Sequence, residues 1–154
     1  VDFAKSVIDA TCEIFETMLM TRVTPGDPLP NRSDVFVGGI SGMVGMAGGY
    51  RGMLAIHCSN QVAMAITGTF LGIEVETVDD DVKDAIGEMA NMLAGSVKSS
   101  LSENGKDIKL SIPSAVGGEE YTFECHAAAD QVLMPFKMPD GEFLVELQLQ
   151  EQSE

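Results

Sequence analysis

The stretch DDDVKDAIGEMANMLAGSVKSSLSE, residues 79–103, limits the possible folds of this chain more than any other. Val82, Ile86, Met89, Ala90, Leu93, Val97 and Leu101 recur at three- and four-residue steps, so Asp79 to Glu103 is expected to be one amphipathic helix with a single apolar stripe. The rest of the chain has to hold that stripe. Glu88 and Asn91 fall on the opposite side, about 60° apart around the axis, so both can touch one object. Asp84 and Gly95 share their face. Gly87 and Gly95 each weaken an exposed helix by about 1 kcal/mol relative to alanine, and close approach of another molecule would explain them. Pattern alone favours a plainer reading, since a charged helix face is ordinarily just solvated. Thr77 or Asp79 is suited to cap the first turn, Asp79, Asp80 and Asp81 complement the positive end of the macrodipole, and Asn104-Gly105 marks the other end.

With 154 residues the chain is expected to form a single domain, 1–154. A formal charge of -15 with only nine lysines and arginines argues against nucleic acid and against acidic membranes as partners. No apolar run is long enough to span a bilayer, and Val1 opens the chain without a cleavable-signal pattern. The three cysteines, Cys12, Cys58 and Cys125, are odd in number and contain no CxxC, which suggests reduced thiols and a cytoplasmic location. His57-Cys58 and Cys125-His126 lie in predicted strands, where neighbours point to opposite sides, so all four cannot converge and no metal site is expected.

In chain order, Asp2 to Met20 is a predicted helix burying Phe3, Val7, Ala10, Ile14 and Met18, with Phe15 and Leu19 at the flank. It stops before Thr24-Pro25, and Leu29 to Ser33 reads as a linker. Ser33 to Ala47 and Tyr50 to Cys58 are expected to be long antiparallel strands, with Val35, Val37, Met53 and Ala55 marking the alternation. Their dense glycines follow neither a GK[ST] nor a GxGxxG arrangement, so bulges and close packing on a helix are the expected use rather than a phosphate cradle. Ser59 or Asn60 caps a short helix, Gln61 to Leu71, with Val62, Ala65, Ile66 and Phe70 inward and Gly72 at its end. Asp107 to Ile112, Thr122 to Ala128, Val132 to Lys137 and Glu142 to Gln150 read as strands, the last two joined at Pro139-Asp140-Gly141. Pro113 to Glu120, PSAVGGEE, reads as a mobile loop. Such a series gives an α+β, two-layer fold, a mainly antiparallel sheet with helices packed on one face. Its edges would need cover, which a dimer could provide.

GEMANMLAGSVKSSL, residues 87–101, resembles the ExxN helix of the CheC/CheX/FliY family, most closely its CheX branch. The order of the remaining pieces resembles that family too: ATCEIFETML, then ISGMVGMAGGYRGMLAIHC, a short helix ending in FLG, an acidic lead-in, a strand beginning DIKLSIPS, and the hairpin FKMPDGEFLVELQL. CheC-type relatives carry a second ExxN on the first helix. Here Glu13 is followed by Glu16, and Glu16 by Leu19, so one site per chain is implied.

The resemblance implies a CheC-like fold, a homodimer, and a hydrolase that removes the aspartyl phosphate of a CheY-like receiver domain in chemotaxis signalling. It places the catalytic residues at Glu88 and Asn91, with Asp84, Glu88 and Gly95 meeting the partner. The chain would need no cofactor of its own, and Mg²⁺ would belong to the phosphorylated receiver. A non-catalytic receiver-binding adaptor or motor-switch component, with Glu88 only a docking charge, is the alternative.

Overall fold

A computed structural model describes residues 2–102, 107–124 and 130–152. Asp2 caps the first helix, α1 (Phe3–Met18), its side chain accepting from the Lys5 amide at 3.1 Å. A two-residue strand, β1 (Thr24–Pro25), precedes the long hairpin β2 (Val35–Gly48) and β3 (Tyr50–Ser59). Helix α2 (Asn60–Leu71) is capped by Ser59 and leads to α3 (Asp80–Ser102), followed by β4 (Ile108–Leu110), β5 (Ser114–Thr122), β6 (Asp130–Met138) and β7 (Gly141–Glu151). These residues form a seven-stranded antiparallel sheet in the order β1-β6-β7-β3-β2-β4, with β5 also paired to β2. The expected α+β architecture is the one observed.

The apolar stripe of α3 is its buried side: Val82, Ile86, Met89, Ala90, Leu93, Val97 and Leu101 are fully enclosed. They meet Ile40, Val44, Leu54, Ile56, Val145 and Leu147, which project from one face of the sheet, and α1 and α2 complete the same layer. Burying each large side chain contributes roughly 1.5–3 kcal/mol, so α3 is held as one rigid body rather than by its own helical propensity. At Gly42 a Cβ would stand 2.6 Å from the Ile86 carbonyl oxygen, so β2 can pass beneath α3 only with glycine there. Asp79 caps α3 by accepting from the Val82 amide at 3.2 Å, as one of the two expected caps; Asn104 and Gly105 lie outside the described residues.

Five expectations are corrected. The segment Pro113 to Glu120 is not a loop, because Ser114–Thr122 is β5 and pairs with β2 from Val35↔Thr122 to Met43↔Ser114. The expected strand Thr122 to Ala128 does not run through as one: Thr122 closes β5, Phe123 and Glu124 are not strand, and 125–129 lie outside the described residues. On α1 the buried side is rotated towards the flank: Phe15 and Leu19 are deep, Thr11 joins them, and Met18 is 49% exposed. A stacked contact between the Phe15 and Phe143 rings, centroids 4.8 Å apart, anchors that rotation. On α2, Ala63 and Thr67 are buried where Ala65 and Phe70 are only half-buried.

The fifth correction is at the start of β2, where Val35 and Val37 are exposed, Val37 to 78%, and Phe36 is the residue turned inward. In a regular strand Phe36 and Ser41 would point to opposite faces, yet both touch His57. Gly38, at φ +68°, and Gly118, the partner of Gly39, at φ +152°, allow the reversal, since few other residues tolerate positive φ. The outer ends of β2 and β5 thereby fold over the sheet face that carries no helix.

Candidate functional site

Helix α3 presents two unlike sides. Its buried stripe leaves Glu88 and Asn91 half-buried on the far side, with Asp84 exposed and Gly95 half-buried beside them. Among the described residues neither the Glu88 carboxylate nor the Asn91 carboxamide has a hydrogen bond or an ion pair within the chain, so both are free to engage another molecule. The expected grouping of Asp84, Glu88, Asn91 and Gly95 on one face is therefore present.

Glu88 stands on a ridge between two hollows. One, of about 450 Å³, has Asp84, Gly87 and Glu88 on one wall and Pro113, Ser114 and Ala115 on the other. The second, of about 370 Å³, lies between Asp84 and Glu88 on α3 and Phe70 and Leu71 at the end of α2. A Cβ at Gly95 would meet no atom within 4 Å, and one at Gly87 would make only ordinary contacts at 3.9 Å. Packing within the chain therefore demands neither glycine.

The other sheet face holds a buried polar network that the sequence did not announce. Glu146, fully buried, accepts from Arg32 Nε at 2.8 Å and His57 Nε2 at 2.8 Å through one oxygen, and from Gln148 at 2.8 Å and Gln131 at 3.1 Å through the other. Arg32 also donates to the Phe123 carbonyl at 2.6 Å, its guanidinium lying 5.2 and 5.4 Å from the Phe36 and Phe123 ring centroids. Burial by itself pushes the Glu146 carboxyl up, but the hydrogen bonds from His57, Arg32 and Gln148 and the charge of Arg32 outweigh it and hold it at about 2. Burial lowers the His57 pKa against the pull of Glu146, so His57 is neutral at pH 7.

Those charge states fix every proton. Ionised Glu146 accepts a hydrogen bond from His57 Nε2–H, which leaves Nδ1 to accept from Ser41 Oγ at 2.6 Å, and Ser41 in turn accepts from Tyr121 at 2.8 Å. Although serine, histidine and glutamate stand in the order of a hydrolytic triad, the Ser41 hydroxyl is enclosed and fully engaged. This network clamps the folded-over ends of β2 and β5 to the sheet.

His57 and Cys58 point to opposite sides as expected, Cys58 lying in the core with its thiol pushed up to about 12 by burial. Cys125 and His126 lie outside the described residues. Among the described residues no three histidine, cysteine or acidic side chains are grouped to hold a metal, and no helix is long and apolar enough to cross a membrane.

The comparisons with known proteins meet this geometry. Residues 40–137 match the family model described as chemotaxis phosphatase CheX, a span that contains all of α3. A curated relative, CheY-P phosphatase CheX of Thermotoga maritima, is 30% identical over 79 residues, 51% of this chain and 51% of that protein, so the match spans about half its length. Among solved structures, a chemotaxis protein CheX from Desulfovibrio desulfuricans has a TM-score of 0.86 at 31% identity, covering 97% of this chain and 100% of that one. The CheX-CheY-BeF3-Mg+2 complex from Borrelia burgdorferi shares the fold, with a TM-score of 0.80 at 22% identity over 98% of this chain and 99% of the other. From the glycine-marked hairpin through the ExxN helix to the strands that follow, this chain belongs to the CheX family of chemotaxis phosphatases.

Proposed function

We propose that this chain hydrolyses the aspartyl phosphate of a CheY-like receiver domain. The observation that carries the reading is the pairing of an unengaged carboxylate and carboxamide, one turn apart, on the outer ridge of a helix whose other side is locked into the core. The family match, the name of the Thermotoga relative and the partner in the Borrelia complex support the substrate class.

In this reading Asn91 holds a water in line with the phosphorus, an amide being able to donate and accept at once. The water oxygen bonds to phosphorus as the bond to the aspartyl oxygen breaks, leaving a free carboxylate on the receiver and inorganic phosphate. Glu88 pairs with the receiver's active-site lysine as water leaves the interface. The exposed Asp84 extends the negative surface, and Gly95 lets the partner come close to the helix. The Mg²⁺ is the receiver's, held by its oxygen ligands and the phosphate.

Single-turnover decay of a labelled receiver acyl phosphate, with and without this protein, tests the reading. Accelerated decay is expected; an unchanged lifetime in the presence of demonstrable binding would make the chain a receiver-binding adaptor instead. Glu88→Lys places a cation against the receiver's lysine and is expected to raise the dissociation constant at least tenfold, roughly 1.4 kcal/mol. An unaltered constant, measured by titration against the beryllofluoride-loaded receiver, would remove Glu88 from docking.

The homodimer belongs to the same reading. Val35, Val37 and Val116 are exposed apolar side chains along β2 and β5, a surface that a second copy would cover. Sedimentation velocity is expected to give twice the chain mass, and a monomer at micromolar concentration would overturn this part.

A further inference from the structure

We propose that Gly87 is a positioning residue for hydrolysis, its missing side chain leaving the room in which the attacking water rests against Asn91. The inference rests on the phosphatase reading above and concerns the residue immediately before Glu88.

Three observations lead to it. Gly87 is buried within α3, where alanine would favour the helix by about 1 kcal/mol. Packing does not explain the glycine, because a Cβ there would find Pro113 Cβ and the Ser114 carbonyl oxygen both at 3.9 Å, ordinary contact distances. That Cβ would instead project into the hollow of about 450 Å³ between α3 and the start of β5, narrowing the space next to Glu88.

Helix geometry links this space to the carboxamide. Asn91 is four residues on, about 6 Å along the axis and about 40° around it. A helical side chain leans toward the turn N-terminal to its own Cα, so the Asn91 side chain, which does not itself line the hollow, leans from the next turn toward position 87. A molecule held between that amide and a docked phosphoryl group occupies the volume beside the Gly87 Cα. A methyl group would move it by about an ångström, a displacement that in-line attack tolerates poorly, as misplacement of that size can reduce a rate by about a hundredfold.

The test is Gly87→Ala, with Asn91→Ala beside it, assayed at saturating protein against a phosphorylated receiver. The alanine variant is expected to melt at or above the wild-type temperature and to bind the beryllofluoride-loaded receiver within twofold of wild type. Its dephosphorylation rate at saturation is expected to fall at least tenfold, with Gly87→Ser falling as far or further. A Gly87→Ala protein that turns over normally while Asn91→Ala is inactive would overturn the role of Gly87 and leave the phosphatase reading standing. Weakened binding with normal turnover, or a clear loss of thermal stability, would overturn it equally, by making the glycine a docking or packing residue. If Asn91→Ala also keeps full activity, it is the catalytic assignment that fails.

Discussion

Asn91→Ala is expected to reduce stimulated loss of phosphate from the receiver by about a hundredfold or more, while leaving the dissociation constant of the complex nearly unchanged. The magnitude follows from what the side chain is asked to do. An acyl phosphate needs little covalent help, so most of the catalysis comes from placing water in line, and a small misplacement can remove about two powers of ten. Binding is spared because the docking charge in this account is Glu88, one turn away. The substitution is also safe for the fold: Asn91 is half-buried and unengaged within the chain, and alanine is the better helix former. A variant that lost affinity and kept its rate at saturation would exchange the roles assigned to the two residues. One that kept both would take Asn91 out of the mechanism.

The second large effect lies on the opposite face. Glu146→Ala leaves the buried Arg32 guanidinium and the His57 imidazole without their shared acceptor, and removing one partner of a buried ion pair costs about 3–5 kcal/mol. Glu146→Gln should lose less, since an amide oxygen still accepts. Both changes are far from the α3 ridge, so whatever protein remains folded should dephosphorylate its partner normally.

The pH dependence has a definite sign. Because the folded-state pKa of His57 is lowered from 6.5, stability is lost as the pH falls below 6.5, where the unfolded chain takes up a proton that the folded chain refuses. Glu146 adds a second loss between about 4.5 and about 2, because its folded-state pKa is depressed and its contribution is complete only above the unfolded value. Denaturant titrations from pH 7 to pH 2.5 should therefore show declining stability, and Glu146→Gln should flatten the part below pH 4.5. A curve for the variant parallel to wild type throughout would mean that the Glu146 network carries no linked proton.

The helix and its two faces were legible because the period of α3 is carried by large side chains and interrupted by none. The expected start at Asp79 differs by one residue from the observed Asp80, and the expected end at Glu103 lies outside the described residues. The free pair Glu88 and Asn91 followed from the same periodicity, whereas their chemistry came from the resemblance.

The clamp was illegible for a different reason. Arg32 stood in what read as a linker and Glu146 in the polar register of a strand, 114 residues away, and no local pattern joins them. The alternation Phe143, Val145, Leu147, Leu149 correctly marks the helix-covered face, which leaves Glu146 and Gln148 on the side that composition assigns to solvent. Only the reversal at Gly38 and Gly118 brings Phe36, Tyr121 and Arg32 over them. Gly118, with its neighbour Gly117, made PSAVGGEE look like a loop. In β5 they serve the bend rather than flexibility, and one partner strand, β2, is enough to order the segment.

A crystal structure of this protein with a beryllofluoride- and Mg²⁺-loaded receiver would test the central claim most directly. The account predicts the Asn91 carboxamide inside the interface, within about 3 Å of a water or fluoride aligned opposite the receiver's aspartyl oxygen, with Glu88 paired to the receiver's lysine. A complex in which the receiver sits elsewhere, or in which Asn91 faces open solvent, would contradict it.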